Sequence, residues 1–178
     1  IPENAFIDDF FMEMGQQGSH VKSRIVVCNP STVKPSPTAG FLYSRKTLEE
    51  HIQYINENNI KEARIIAEDI NFIRQCPGLE DIHVIPGYHC EDFDFSPLYD
   101  MPNLKRLRCL TEFGKDEAFY ANVDYSKFSH LEDLCTYGKK GHINLSKVKG
   151  LKNLEIGYGQ PKSKILKEVT DWSQMERL

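Results

Sequence analysis

Leu104-Lys-Arg-Leu107-Arg-Cys109, Leu131-Glu-Asp-Leu134-Cys-Thr136 and Leu151-Lys-Asn-Leu154-Glu-Ile156 are three copies of one phrase. An apolar residue is followed by two polar ones, a second apolar residue, one free position, and then a small or apolar residue. Working outward, the phrase is found again as Leu79-Glu-Asp-Ile82-His-Val84 and Ile60-Lys-Glu-Ala63-Arg-Ile65, with a truncated Met175-Glu-Arg-Leu178 at the other end. The anchors 60, 79, 104, 131, 151 and 175 are separated by 19, 25, 27, 20 and 24 residues. Leucines three apart also suit a helix. The β-branched Ile65-Ile66, Val84-Ile85 and Ile156 and the frequent Gly, Pro and Asn favour short strands instead.

A second pattern accompanies the first. Phe95-Ser-Pro-Leu98, Tyr125-Ser-Lys-Phe128 and Leu145-Ser-Lys-Val148 place apolar residues three apart around a serine, and Asp171-Trp172-Ser173-Gln174 is a looser copy. Such a segment suits a turn or short helix returning behind the strand, with the serine free to bond an exposed backbone N–H. The pairs Pro77-Gly78, Pro102-Asn103, Ser129-His130 and Lys149-Gly150 then turn the chain into the next phrase.

Strand, return segment and turn, repeated every 20–29 residues or so, are the parts of a leucine-rich repeat. Residues 60–178 resemble the irregular leucine-rich repeat proteins common among bacteria. That resemblance implies an α/β solenoid with parallel strands on one face. The chain departs from the family pattern in lacking an Asn or Cys at a set place after each strand, which puts regular curvature in doubt. It also implies protein–protein interaction without catalysis, or a narrower role as an immunity protein neutralising a cognate toxin. A segment of a longer solenoid is a further possibility, because the repeat beginning at Met175 is cut short at Leu178.

The first third of the chain differs. Residues 1–20 read as a flexible tail and 21–59 as a capping unit ahead of the repeats at 60–178. Arg24-Ile-Val-Val-Cys28 reads as a strand, and the segment from Asn29-Pro30 to Gly40 as a proline-rich loop. Thr47-Leu-Glu-Glu50 is a capping box that starts a helix bearing Leu48, Ile52 and Ile55 and ending at Asn58-Asn59. With the first repeat strand these make a βαβ cap, which a solenoid needs to cover its apolar end.

Alternation along each strand turns every second side chain away from the core. Aligned by phrase, the outward set forms three columns. The first is Glu62, Asp81, Arg106, Asp133, Asn153 and Arg177; the second is Arg64, His83, Arg108, Cys135 and Glu155. The third, Ile66, Ile85, Leu110, Tyr137 and Gly157, is expected to be an exposed apolar strip beside the two charged ones. Arg64, Ile66, Asp81, His83, Ile85, Arg106, Arg108, Leu110, Asp133, Tyr137 and Glu155 are therefore the expected partner-binding residues.

Composition narrows the function classes. The 178 residues are 40% hydrophobic and 27% charged, ordinary for a folded protein. Twenty-two Lys and Arg against 26 Asp and Glu leave a net charge of −4, the wrong sign for a protein that binds nucleic acid by neutralising phosphates. No apolar run reaches the roughly 20 residues needed to span a bilayer. The five cysteines, an odd number without a C-x-x-C, read as free thiols of a reducing compartment. No signal-peptide pattern opens the chain, so the cytoplasm is expected, with a removed leader still compatible because the first residue is Ile1.

Candidate chemistry is sparse. His83, His89 and Cys90 with Glu91 and Asp92 are metal-ligand types, but the spacing suits a loop surface better than a tetrahedral site. Cys135 with His130 or His142 is the nearest approach to a thiol–imidazole pair, and nothing in the sequence orients it. Gly157-Tyr-Gly159-Gln-Pro161-Lys162 lacks the spacing of a phosphate loop. No catalytic residue, metal or cofactor is expected.

Overall fold

The computed structural model describes residues 24–28, 46–86, 93–109, 123–137 and 144–157. Six strands, β1 (Arg24–Cys28), β2 (Glu62–Ala67), β3 (Asp81–Pro86), β4 (Arg106–Cys109), β5 (Asp133–Tyr137) and β6 (Asn153–Gly157), form one sheet in chain order. Every neighbouring pair is parallel. Parallel neighbours need a crossover between them. The described crossovers contain helix α1 (Leu48–Glu57), helix α2 (Ser96–Tyr99) and single 3₁₀ turns at Asn71–Gln75, Tyr125–Lys127 and Leu145–Lys147.

The phrase alignment is the pairing register. Ile25, Ala63, Ile82, Leu107, Leu134 and Leu154 are partners in one row, and Val27, Ile65, Val84, Cys109, Thr136 and Ile156 in the next. Both rows face the core, and the described side chains in them are buried. Two residues ahead of each of β2 to β6 stands the leading apolar residue, Ile60, Leu79, Leu104, Leu131 or Leu151, also buried. Leu104, Leu131 and Leu151 are thus equivalent rungs beside successive parallel strands. A one-residue slip would move a whole row to the opposite face, so the apolar pattern specifies the register strongly.

The approach to each strand is tied down by backbone bonds. The Lys61 carbonyl accepts from the N–H groups of Glu80 (2.8 Å) and Asp81 (3.0 Å), and that of Glu80 from Lys105 (2.9 Å) and Arg106 (3.0 Å). Lys105 repeats this with Glu132 and Asp133, and Glu132 with Lys152 and Asn153. Four successive turns therefore share one hydrogen-bonding geometry although their lengths differ.

The capping box on α1 forms as expected. Thr47 Oγ1 accepts from the Glu50 N–H at 3.2 Å, and the Glu50 carboxylate accepts from the Thr47 N–H at 2.7 Å. Ile55 is buried, while Leu48 and Ile52 are only partly so and pack on the core from the side. The inner face of the helix carries a residue that periodicity did not single out: His51, 1% exposed. Its Nδ1 lies 2.8 Å from the Thr47 carbonyl, an acceptor, so Nδ1 carries the donating hydrogen. After the helix, Asn59 takes a left-handed φ of 50°, which Asn tolerates better than most residues.

The return turns are organised by an acid rather than by the serine. Asp69 Oδ1 accepts from the Asn71 N–H (2.7 Å), Asp94 Oδ1 from the Ser96 N–H (2.8 Å) and Asp124 Oδ1 from the Ser126 N–H (3.1 Å). The hydroxyls of Ser96 and Ser126 donate to the same carboxylates. Serine here is mainly a donor, and the expectation that it accepts a backbone N–H is corrected. In these three segments a carboxylate two residues upstream closes an Asx turn, whereas Asn144 makes no side-chain cap bond. Asp69 and Asp94 stand ten residues before their leading leucines, whereas Asp124 and Asn144 stand seven before theirs. The three extra residues accompany longer helical segments, five residues at Asn71–Gln75 and four in α2, against three residues in each of the later two. Asn144 Nδ2 also donates to Asp124 Oδ1 at 3.0 Å, linking adjacent coils.

The return segments complete the core. Ile73, Leu98, Tyr125 and Leu145 are buried against the inward rows. The Tyr125 hydroxyl meets Thr136 Oγ1 at 3.0 Å, so the one polar side chain described in the inner rows has a partner. Cys76, Cys109 and Cys135 are free thiols, the first two buried.

Candidate functional site

All the described crossover segments contribute to one apolar cluster with the inward rows. A parallel sheet is usually covered on both faces. Here, among the described residues, no helix or 3₁₀ turn packs on the other side, and the outward columns form the candidate surface.

The first two columns lie in register. Glu62, Asp81, Arg106, Asp133 and Asn153 are successive partners, as are Arg64, His83, Arg108, Cys135 and Glu155. At a strand separation of about 4.8 Å, each side chain is adjacent to its equivalents on both sides. Arg106, Arg108 and Glu155 are exposed; Glu62, Arg64, His83, Asp133 and Cys135 are half-buried. Arg106 Nε is 3.1 Å from Asp81 Oδ2, and Asp81 is only 9% exposed. Asn153 donates through its side-chain amide to Asp133. Much of the charge in the first column is therefore engaged within the face.

The third column differs from expectation. Ile66 pairs with Ile85, and Tyr137 with Gly157. Ile66 is half-buried, but Ile85 is only 4% exposed and cannot offer an apolar surface to solvent. Leu110 lies outside the described residues, as do the side chain of Tyr137 and the whole of Arg177. The continuous apolar strip drawn from the sequence is corrected at Ile85, because alternation assigns a side chain to a face and says nothing of what covers that face.

A column absent from the expected set borders the first. The residues just after the leading apolar positions are Lys61, Glu80, Lys105, Glu132 and Lys152, alternating in sign from coil to coil. Glu80 bridges Lys105 (2.8 Å) and Lys61 (3.4 Å), and Glu132 meets Lys152 at 2.9 Å. Lys105 holds the Glu80 carboxyl below its usual range, and Lys152 does the same for Glu132. The aligned phrases already carried this alternation. Reading only the free positions within the strand passed over it.

Cys135 is the one described thiol on the outward face. Burial first, and Glu155 second, push its pKa up to about 11, against a smaller opposing effect of Arg108. At neutral pH the group is a protonated thiol. A nucleophilic cysteine needs the reverse shift. His130 is exposed on the turn after the Tyr125–Lys127 segment, and His142 lies outside the described residues. His89, Cys90, Glu91, Asp92 and most of the Gly157–Lys162 stretch are also outside them. Among the described residues no group of three His, Cys, Asp or Glu side chains could hold a metal ion. No helix among them is long and apolar enough to cross a membrane.

The chain matches no family model, no curated protein and no solved structure.

Proposed function

We propose that the chain is an irregular leucine-rich-repeat-like solenoid that recognises a partner protein through its strand face and carries out no catalysis. The observation that carries this reading is a sheet buried on one face by all its described crossovers, with Arg106, Arg108 and Glu155 exposed on the other. Solenoid character is supported by the strict chain order of the strands, the unshifted register of the leading leucines, and the turns that begin on an acid. A repeat that contacts only its neighbours extends a surface in one direction, which suits binding rather than enclosure of a small substrate. The non-catalytic part of the reading is supported by the protonated Cys135 thiol.

Placement of a photoreactive residue tests the reading. Substituted for Glu155 on the strand face, it is expected to yield a discrete protein adduct in extract of the source cells. Substituted for Lys127 or Lys147, exposed on the return side, it is expected to yield none. Adducts from the return side alone would overturn the assignment of the binding face.

A further inference from the structure

At β4 and the residue just before it stand three exposed cations: Lys105, Arg106 and Arg108. The neighbouring coils treat them differently. Lys105 stands between Glu80 and Glu132 of the flanking coils and pairs with Glu80 at 2.8 Å. Arg106 stands between Asp81 and Asp133 and pairs with Asp81 at 3.1 Å. Arg108 stands between His83 and Cys135, neither of them a carboxylate. It is exposed, and it makes no hydrogen bond or ion pair among the described residues.

The nearby acids of the face are already engaged. Asp81 meets Arg106 and Asp133 accepts from Asn153, while Glu155 lies two strands away from Arg108 in register, beyond Cys135. We infer that the partner protein places a carboxylate, from an Asp or Glu side chain, on the Arg108 guanidinium between His83 and Cys135. This rests on the strand-face reading above and names the chemistry of its partner. A guanidinium offers a planar fork of donors that matches a carboxylate in a two-bond geometry. Arginine is also among the residues that most often dominate interface energies. Among the described residues, the pattern of acids that compensates Lys105 and Arg106 from both sides stops at Arg108, which leaves that fork for a group from outside.

The test uses the full chain, isotope-labelled, and a blocked glutamate–alanine octapeptide as the probe, with the lysine–alanine octapeptide as its control. Amide resonances at 106–108 and 133–135, with the Arg108 Nε–H, are expected to shift with the glutamate peptide only. Arg108→Gln is expected to weaken the apparent affinity by about tenfold, the loss of one charge-assisted contact. Lys147→Gln, on the return side, is expected to leave it unchanged. Equal shifts with the lysine peptide, an absence of shifts near Arg108, or undiminished binding by the Arg108→Gln protein would overturn the inference. Inorganic phosphate binding the same place more tightly than the glutamate peptide would overturn it too. Face-specific photo-adducts alongside any of these results would leave the strand-face reading intact.

Discussion

Single side chains in this protein are governed by which side of the sheet alternation gives them. Cys109 and Cys135 sit on adjacent paired strands yet face opposite ways, the first wholly buried in an inner row and the second half-exposed beside Glu155. Burial raises both thiols, and for Cys135 the carboxylate adds to it, giving a value of about 11. Alkylation followed across pH is therefore expected to show Cys135 reacting slowly at pH 7, with its rate rising towards a midpoint near 11. Rapid stoichiometric labelling of Cys135 at neutral pH would revive a thiol-dependent enzyme as the better reading. His51 shows how one residue evades sequence reading. A histidine at the fourth place of a capping-box helix looks like surface, yet its Nδ1 meets the Thr47 carbonyl and the ring packs inward.

At the level of elements, a recurring acid opens three of the four described return turns, at Asp69, Asp94 and Asp124. Asp-Tyr-Ser-Lys-Phe-Ser-His-Leu131 and Asn-Leu-Ser-Lys-Val-Lys-Gly-Leu151 are the same octet; its first residue closes an Asx turn at Asp124 but makes no side-chain cap bond at Asn144. In the second, Asn144 takes a left-handed φ of 57°, and Gly150 a φ of 93° that few side chains tolerate. The octet recurs in sequence as Asp171-Trp-Ser-Gln-Met-Glu-Arg-Leu178, which aligns Leu178 rather than Met175 with Leu131 and Leu151. Asp124 does the most in this set, accepting from Ser126 N–H, Ser126 Oγ and Asn144 Nδ2. Replacing Asp124 by Ala is expected to lower the melting temperature measurably. Asp124→Asn, which keeps a turn acceptor, is expected to lose much less. Equal losses for the two would mean that the turn does not depend on that oxygen.

For the molecule as a whole, charge sets how stability responds to acid. Burial lowers the pKa of His51 below its ordinary 6.5, against a smaller opposing effect of the Thr47 backbone bond. The folded state then binds fewer protons than the unfolded chain, so this contribution is complete above about pH 6.5 and declines as the pH falls through that range. Glu80 and Glu132, lowered from 4.5 by Lys105 and Lys152, contribute above about pH 4.5 and lose that contribution below it. These acids are exposed, so their share is small and screened by salt. Melting temperature followed from pH 8 to about pH 2 is expected to fall in two stages, the second small. His51→Gln removes the first stage and leaves the second; an unchanged first stage in that variant would assign it to another group.

Much of the architecture was legible because it is periodic. The spacing of Leu79, Leu104, Leu131 and Leu151, and the alternation that follows each, dictated parallel rungs in a particular register, since only that pairing buries every apolar row on one side. The capping box at Thr47–Glu50 was equally plain, because it depends on residues three apart in the chain. The burial of Ile85, the inward place of His51, the acid-led turns and the isolation of Arg108 between His83 and Cys135 were not. The burial of Ile85 and the isolation of Arg108 depend on what neighbouring strands bring alongside from some 20 positions away, a property of the packed molecule. The His51 contact and the acid-led turns are local, but they run to backbone groups that hydropathy spacing does not report.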